Sequence, residues 1–295
     1  MAQAYVPKKK GNANAFEGLD AQLMASMLPQ QAQPQANAQP KQSMNQMMGV
    51  QEDAAAKKKK GELANAKLAL LKHVKLVDNK QALKPNRKGN EVTEQELAQY
   101  SELFANITRG DTSIKFAHDD ANELENYKKG TLAEMAKMMS TGTGRTLLSE
   151  LAGGKHTTTI QPTAQGPHAT SVDQQGAHDP TKGSAANVHF NPGVEFPKAQ
   201  TGLSAHATAD TALLHEMVHA HHYVHGKRQK GLNDINNMPL GHKDMNSKIE
   251  EYATVGLGDF ANDKITENSY RAQMRENHAD DESMQEKYAH RDSYN

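Results

Sequence analysis

The chain contains no cysteine. That excludes disulfides and thiolate-bound zinc, and leaves His, Asp and Glu as the side chains on which a metal could rest. A cysteine-free chain also suits a protein that crosses between compartments of different redox poise. Apolar residues are scarce: 36% of the 295 residues are hydrophobic and the mean hydropathy is -0.82, so not all of this length can bury a core. No apolar run approaches the roughly 20 residues of a membrane-spanning helix. Lys8-Lys9-Lys10 is not followed by the apolar stretch of a cleaved export signal. Neither sign of charge dominates, with 34 basic and 35 acidic side chains giving a net charge of -1. There is thus no global drive toward nucleic acid or an anionic membrane, and the expectation is a monomer with neither as partner.

What is there divides unevenly. Residues 1–60 read as a disordered delivery segment that engages secretion or injection machinery. Pro29–Gln46 is built from Gln, Ala, Pro and Asn, and Lys57–Lys60 is a charge block, a composition that cannot offset its own conformational entropy. Within it Phe16, Leu19, Leu23 and Met27 could line one face of a short helix. Residues 61–90 read as a helical linker, apolar at helical spacing over Leu63–Val77 and broken by Pro85 to Gly89.

Residues 91–295 read as one α+β domain with a small sheet. Thr93-Glu94-Gln95-Glu96 is a capping box, and Leu97, Tyr100, Leu103, Phe104 and Ile107 follow on one helical face. A second box, Thr131 to Glu134, predicts a helix through Met139 that Gly142 and Gly144 break, with another helical stretch over Thr146–Ala152. His156–Gln161 and Ala186–Asn191 carry strand signals, separated by what reads as a long surface loop. Helices are expected over Asp210–His225, Ser247–Val255 and Thr266–Asn277, with Asp210 as the N-cap of the first, and the acidic tail from Asp280 is expected to fray.

The chemistry concentrates at His215-Glu216-Met217-Val218-His219. Histidines at i and i+4 share one helical face, ~6 Å apart along the axis. Two imidazoles so placed can hold one Zn²⁺, and Glu216 beside them can take a proton from the attacking water. His221, His222 and His225 read as surface or outer-shell groups, since His222 lies ~10 Å along the axis from His215. A third ligand must come from elsewhere, and the adjacent carboxylates Glu250 and Glu251 offer it. Ser247-x-x-Glu250 is a capping box that would occupy Glu250 at its own helix start, whereas Glu251 points about 100° away and stays free. Glu251 is therefore the favoured ligand. A donor for the transition state is expected at Tyr270 or Arg271, with Tyr223, Tyr252 and His225 as weaker candidates. The strand Ala186–Asn191, ahead of the motif helix, fits the zincin architecture, in which an edge strand pairs with extended substrate backbone.

With these residues in place, the chain resembles the NleD-like secreted effector metallopeptidases of Gram-negative pathogens. The likeness rests on HEMVHAHH (215–222), EEYATVGLGDF (250–260) and ITENSYR (265–271) in that order, supported upstream by Gly144-Arg-Thr-Leu-Leu and VHFNPG (188–193). It covers about Leu103 to Asn277. It implies a zincin fold, one zinc, and metal binding by His215, His219 and a glutamate of the 250–251 pair, with Glu216 as base. It further implies secretion into the cytosol of a target cell and protein substrates there, of which host mitogen-activated kinases are the known example. Two other functions fit the same residues: an interbacterial toxin cutting peptidoglycan or bacterial proteins, and a non-catalytic zincin-fold binding module. The intact motif argues against the second, because a binder has no use for Glu216.

Overall fold

The computed structural model describes residues 44–84, 86–196, 206–229 and 245–293, with side chains from 54 onward and excluding those of 245–248. The expected helical face at Phe16–Met27 and most of Pro29–Gln46 lie outside the described residues. Two compact units divide at Glu52/Asp53. Of the first, residues 44–52 are helical, the opening of α1 (Met44–Leu71). The second carries everything else.

The region expected to be a linker contributes to the core. Ala66 and Leu70 on α1 are buried in the main apolar cluster, and β1 (Lys75–Leu76) pairs in parallel with β2 (Glu91–Val92) across the four-residue helix α2 (Asn79–Ala82). The capping box at Thr93 forms as the sequence dictates. Thr93 Oγ1 accepts from the Glu96 N–H at 3.2 Å, and the Glu96 carboxylate accepts from the Thr93 N–H at 2.8 Å. Helix α3 (Glu94–Arg109) buries Leu97, Phe104 and Ile107 and stops at Gly110 in the left-handed region.

The second box does not open a helix. Helix α4 (Leu124–Met138) begins a full two turns earlier, and Thr131 sits in its interior with its hydroxyl donating to the Tyr127 carbonyl at 3.0 Å. Burial decides this, because Tyr127 anchors the early turns by donating to the Phe190 carbonyl at 3.0 Å while the Glu134 carboxylate goes to Lys137. Nor do Gly142 and Gly144 end a helix; they begin α5 (Gly142–Ala152), with Thr141 as N-cap accepting from the Gly144 N–H at 3.0 Å. A Cβ on Gly144 would lie 2.1 Å from the Met138 carbonyl oxygen, so the glycine permits the tight α4–α5 corner.

The main sheet runs in the order β3 (Ile114–Phe116), β4 (Thr158–Gln161), β6 (Ala186–His189), β5 (His168–Ser171). β3, β4 and β6 are parallel, and β5 is antiparallel to β6 with His168 opposite His189. Residues of β4 and β6 alternate between buried and half-buried, sending Ile160 and Val188 into the core. The stretch expected to be a surface loop thus supplies a strand. β6, expected at the edge, is interior, and β5 is the edge beside it.

Helix α6 (Ala209–Val224) lies against β5, β6, α4 and α5 and is buried almost all round. Leu213, Leu214, Met217 and Val218 are fully buried, each contributing roughly 1.5–3 kcal/mol by leaving water. Its N-cap is Thr208, not Asp210. Asp210 is buried inside the first turn, where its Oδ2 accepts from the hydroxyls of Tyr270 at 2.5 Å and Tyr288 at 2.8 Å. The helix ends at Val224 with His225 as C-cap, and Gly226 follows at φ +63°, where a Cβ would collide with the Asp179 carbonyl. Helices α7 (Met245–Val255) and α8 (Glu267–Asn277) then pack on α6. The tail from Asp280 does not fray. It forms α9 (Glu282–Lys287) and buries Tyr288 and Arg291. No helix among the described residues is long and apolar enough to cross a membrane.

Candidate metal centre

Helix α6 supplies His215, Glu216 and His219 on one side, and α7 brings Glu250 and Glu251 to face them. Helix α7 starts at Met245, ahead of Ser247, so Glu250 does not sit at a helix start and its expected capping task falls away. The two glutamates nevertheless part company as adjacent helical residues must. Glu251 Oε2 reaches His215 Nε2 at 3.1 Å and His219 Nε2 at 3.3 Å, while the two Nε2 atoms are 3.2 Å apart. Glu250 turns to the far side of the imidazoles, accepting at Oε1 from His219 Nδ1 at 3.1 Å and His222 Nδ1 at 2.7 Å, and at Oε2 from the Gln229 N–H at 2.8 Å. Thr254 Oγ1 also lies 3.1 Å from His219 Nδ1.

His215 has a matching support that the sequence did not disclose. Its Nδ1 donates to Glu267 Oε2 at 2.8 Å, and that fully buried carboxylate is held in turn by Arg271 Nε at 2.7 Å and an Arg291 terminal nitrogen at 3.0 Å. Both imidazoles are therefore fixed on Nδ1 by a carboxylate, which leaves both Nε2 lone pairs aimed at one point beside Glu251. Three such acceptors in mutual contact repel unless a cation lies among them. Tetrahedral zinc with bonds of about 2.0–2.1 Å separates its ligand atoms by roughly 3.3 Å, which the 3.1–3.3 Å triangle matches. The residues fit the metal.

Electrostatics agree. Burial alone would push both histidines down, but hydrogen bonds to Glu251 and Glu267 lift His215 to about 9, and those to Glu250 and Glu251 lift His219 to about 10. The same contacts overcome burial at the carboxyls, holding Glu250 at about 2 and both Glu251 and Glu267 well below the ordinary range. The carboxylates around the two imidazoles favour positive charge between them, whether as protons on His215 and His219 or as a divalent cation in their place. Glu216 differs from its neighbours: burial raises it, and the two imidazoles and His168 pull only partly back. A carboxyl raised toward neutrality is suited to exchanging protons.

A cleft of about 250 Å³ opens beside His215 and Glu216, with Pro167, Phe196 and Ala212 as apolar walls and Arg291 at its lining. Gly166 and Pro167, at the approach to edge strand β5, form its rim. Tyr270 is not brought to the site. It is fully buried and its hydroxyl is committed to Asp210, so a phenol tied into the core replaces the expected transition-state donor. Arg271 is equally buried and bound to Glu267. Tyr223 lies against the His219 ring at 6.2 Å, and His225 turns its Nδ1 to the His221 carbonyl. His222, expected as a surface or outer-shell group, takes the second role through Glu250. Glu267 and Arg291 carried no local signal: neither stands in a metal-ligand spacing, and Arg291 lies in the tail expected to fray.

Two imidazoles and a carboxylate converging beside a buried glutamate make a metallohydrolase type of site. The model of a peptidase family described as effector protein matches residues 115–294. The chain belongs to that family, the NleD-like effector peptidases. The match runs past Asn277 through the C-terminal turn that delivers Arg291. No curated protein matches the chain.

Proposed function

We propose that this effector peptidase is a zinc endopeptidase delivered into the cytosol of a target cell, where it hydrolyses protein substrates, host signalling kinases among them. The observation that carries this reading is the 3.1–3.3 Å triangle of His215 Nε2, His219 Nε2 and Glu251 Oε2 beside buried Glu216. These three residues would hold the ion, and an imidazole pair with one carboxylate suits zinc better than a hard, all-oxygen cation. Bound there, zinc would polarise the scissile carbonyl and lower the pKa of water toward ~7.

The chain's own groups do the rest. Glu267 and Glu250 hold the two imidazoles in the tautomer and orientation that ligation needs. Glu216 accepts the proton of the attacking water and passes it to the leaving amine, so no covalent enzyme intermediate forms. The outer edge of β5, unpaired among the described residues, offers backbone hydrogen bonds to an extended substrate strand, and the apolar cleft seats one of its side chains. The test is mass spectrometry of new N-termini in a target-cell lysate incubated with zinc-loaded wild type or with Glu216→Gln. New N-termini should appear with wild type and fall by about 10²–10⁴-fold in rate with the variant at equal zinc content. Equal cleavage by both would refute the role of Glu216, and toxicity without any cleavage would move the binding module into first place.

A further inference from the structure

Helix α6 carries a second pair of histidines at i and i+4, His221 and His225, on a different face from the first. They meet a carboxylate from another helix. His221 Nε2 lies 2.6 Å from Oε2 of Glu150, at the end of α5, and the two imidazole rings are 4.3 Å apart. One ligand atom from each of the three lies within 4.8 Å of the other two.

We propose that Glu150, His221 and His225 form a second metal site, selective for a first-row transition ion of the zinc class and separate from the catalytic centre. Several features support it. His225 donates its Nδ1–H to the His221 carbonyl at 2.9 Å, which fixes the tautomer and presents Nε2 as a free lone pair. His221 is 5% exposed and turns its Nε2 to Glu150, so the nitrogen that meets the carboxylate is the one that would share its ion. The site also sits where two helices end. Glu150 is in the last turn of α5, and His221 and His225 are in the last turn and at the C-cap of α6. The negative ends of both helix dipoles therefore favour a cation here.

The ~3.3 Å of a tetrahedral edge lies between the 2.6 Å of the His221–Glu150 contact and the 4.8 Å that bounds the trio. The Glu150 side chain is 44% exposed and free to pivot, and the partly exposed His225 is at the helix end, while His221 stays still. Glu150 is exposed and His225 half-buried, so the ion would exchange more readily than the catalytic one. It would pin α5 to the helix that carries the active site. Two imidazoles and one carboxylate disfavour calcium or magnesium, which require mostly oxygen ligands.

The experiment measures zinc per chain by elemental analysis on the full chain, equilibrated at buffered micromolar free zinc, with folding checked by circular dichroism. Wild type should hold two ions, His215→Ala/His219→Ala one, and Glu150→Gln/His225→Ala one. The last pair leaves buried His221 in place, so the fold is not put at risk. It should also keep the ion that a stronger chelator removes last and lose the one removed first. A folded His215→Ala/His219→Ala variant without zinc would overturn the second site. So would two ions in Glu150→Gln/His225→Ala, which would place the extra ion elsewhere. A wild type with only one ion, lost with His215 and His219, would overturn it and leave the catalytic centre standing.

Discussion

Glu267 lies 52 residues from His215, yet the geometry makes it decisive for the metal. Replacing it with glutamine keeps the shape and removes the charge. The carboxylate now accepts from three donors: His215 Nδ1, Arg271 Nε and an Arg291 terminal nitrogen. An amide turns one of its two polar atoms into a donor, so it meets at least one of these groups proton to proton. Loss of such an outer partner typically weakens a metal site by about 10–100-fold. The stability cost is separate: its side chain is 2% exposed and it is a carboxylate to which two buried guanidinium groups are paired. Breaking a buried pair from one side costs about 3–5 kcal/mol, and with about 2–4 °C per kcal/mol for a domain of this size the melting temperature should fall by roughly 6–20 °C. Chelator competition on the folded variant gives the affinity, and calorimetry gives the melting point. A folded Glu267→Gln protein that binds zinc within about twofold of wild type would refute the claim that this carboxylate orients His215.

Four further outcomes follow from the same contacts. Glu251→Gln should abolish stoichiometric zinc at the catalytic centre, whereas Glu250→Gln should only weaken it by about 10–100-fold, because Glu250 touches the Nδ1 side of His219; the reverse pattern in elemental analysis would exchange their roles. Tyr270→Phe should cost about 1.5–3 kcal/mol in urea unfolding, from a hydrogen bond to a buried carboxylate, and leave kcat/KM unchanged; a selective loss of kcat at unchanged stability would restore Tyr270 to the chemistry. Glu96, held at about 2 chiefly by its hydrogen bond to Arg87, contributes stability that is present above its unfolded value of 4.5 and lost as pH falls toward 2. Arg87→Met should therefore flatten the acid limb of melting temperature against pH in that window, and an unaltered limb would count against the pair. Finally, a chain beginning at residue 53 should keep wild-type stability, while one beginning at 91 loses the buried Leu70, worth roughly 1.5–3 kcal/mol, along with β1; equal melting temperatures would make the 61–90 segment the linker its sequence suggested.

Local chemistry was legible in the sequence wherever one stretch of chain settles it. The capping box at Thr93 satisfies its own backbone donors, so it needs no distant partner. His215 and His219 share a helical face because 3.6 residues make a turn, with Glu216 beside them, and that holds in any fold. The separation of Glu250 from Glu251 followed from the same periodicity, even though the capping role assigned to Glu250 was displaced by a helix that starts earlier.

Tertiary structure decided everything that depends on which buried group meets which. Thr131 has the pattern of a helix start, but anchoring Tyr127 in the core outweighs one cap, and the helix runs on through it. Strand β5 is too short and polar to announce itself; only pairing with β6 makes it a strand and places it at the cleft. Tyr270 resembles a cleft donor until Asp210, a buried carboxyl, claims its hydroxyl and that of Tyr288. Glu267 becomes part of the metal centre because α8 packs on α6, and Arg291 because the C-terminal turn folds back to it. A buried carboxylate must be paired wherever the fold places it, and the partner comes from whatever segment reaches that point, at a sequence distance no local pattern encodes.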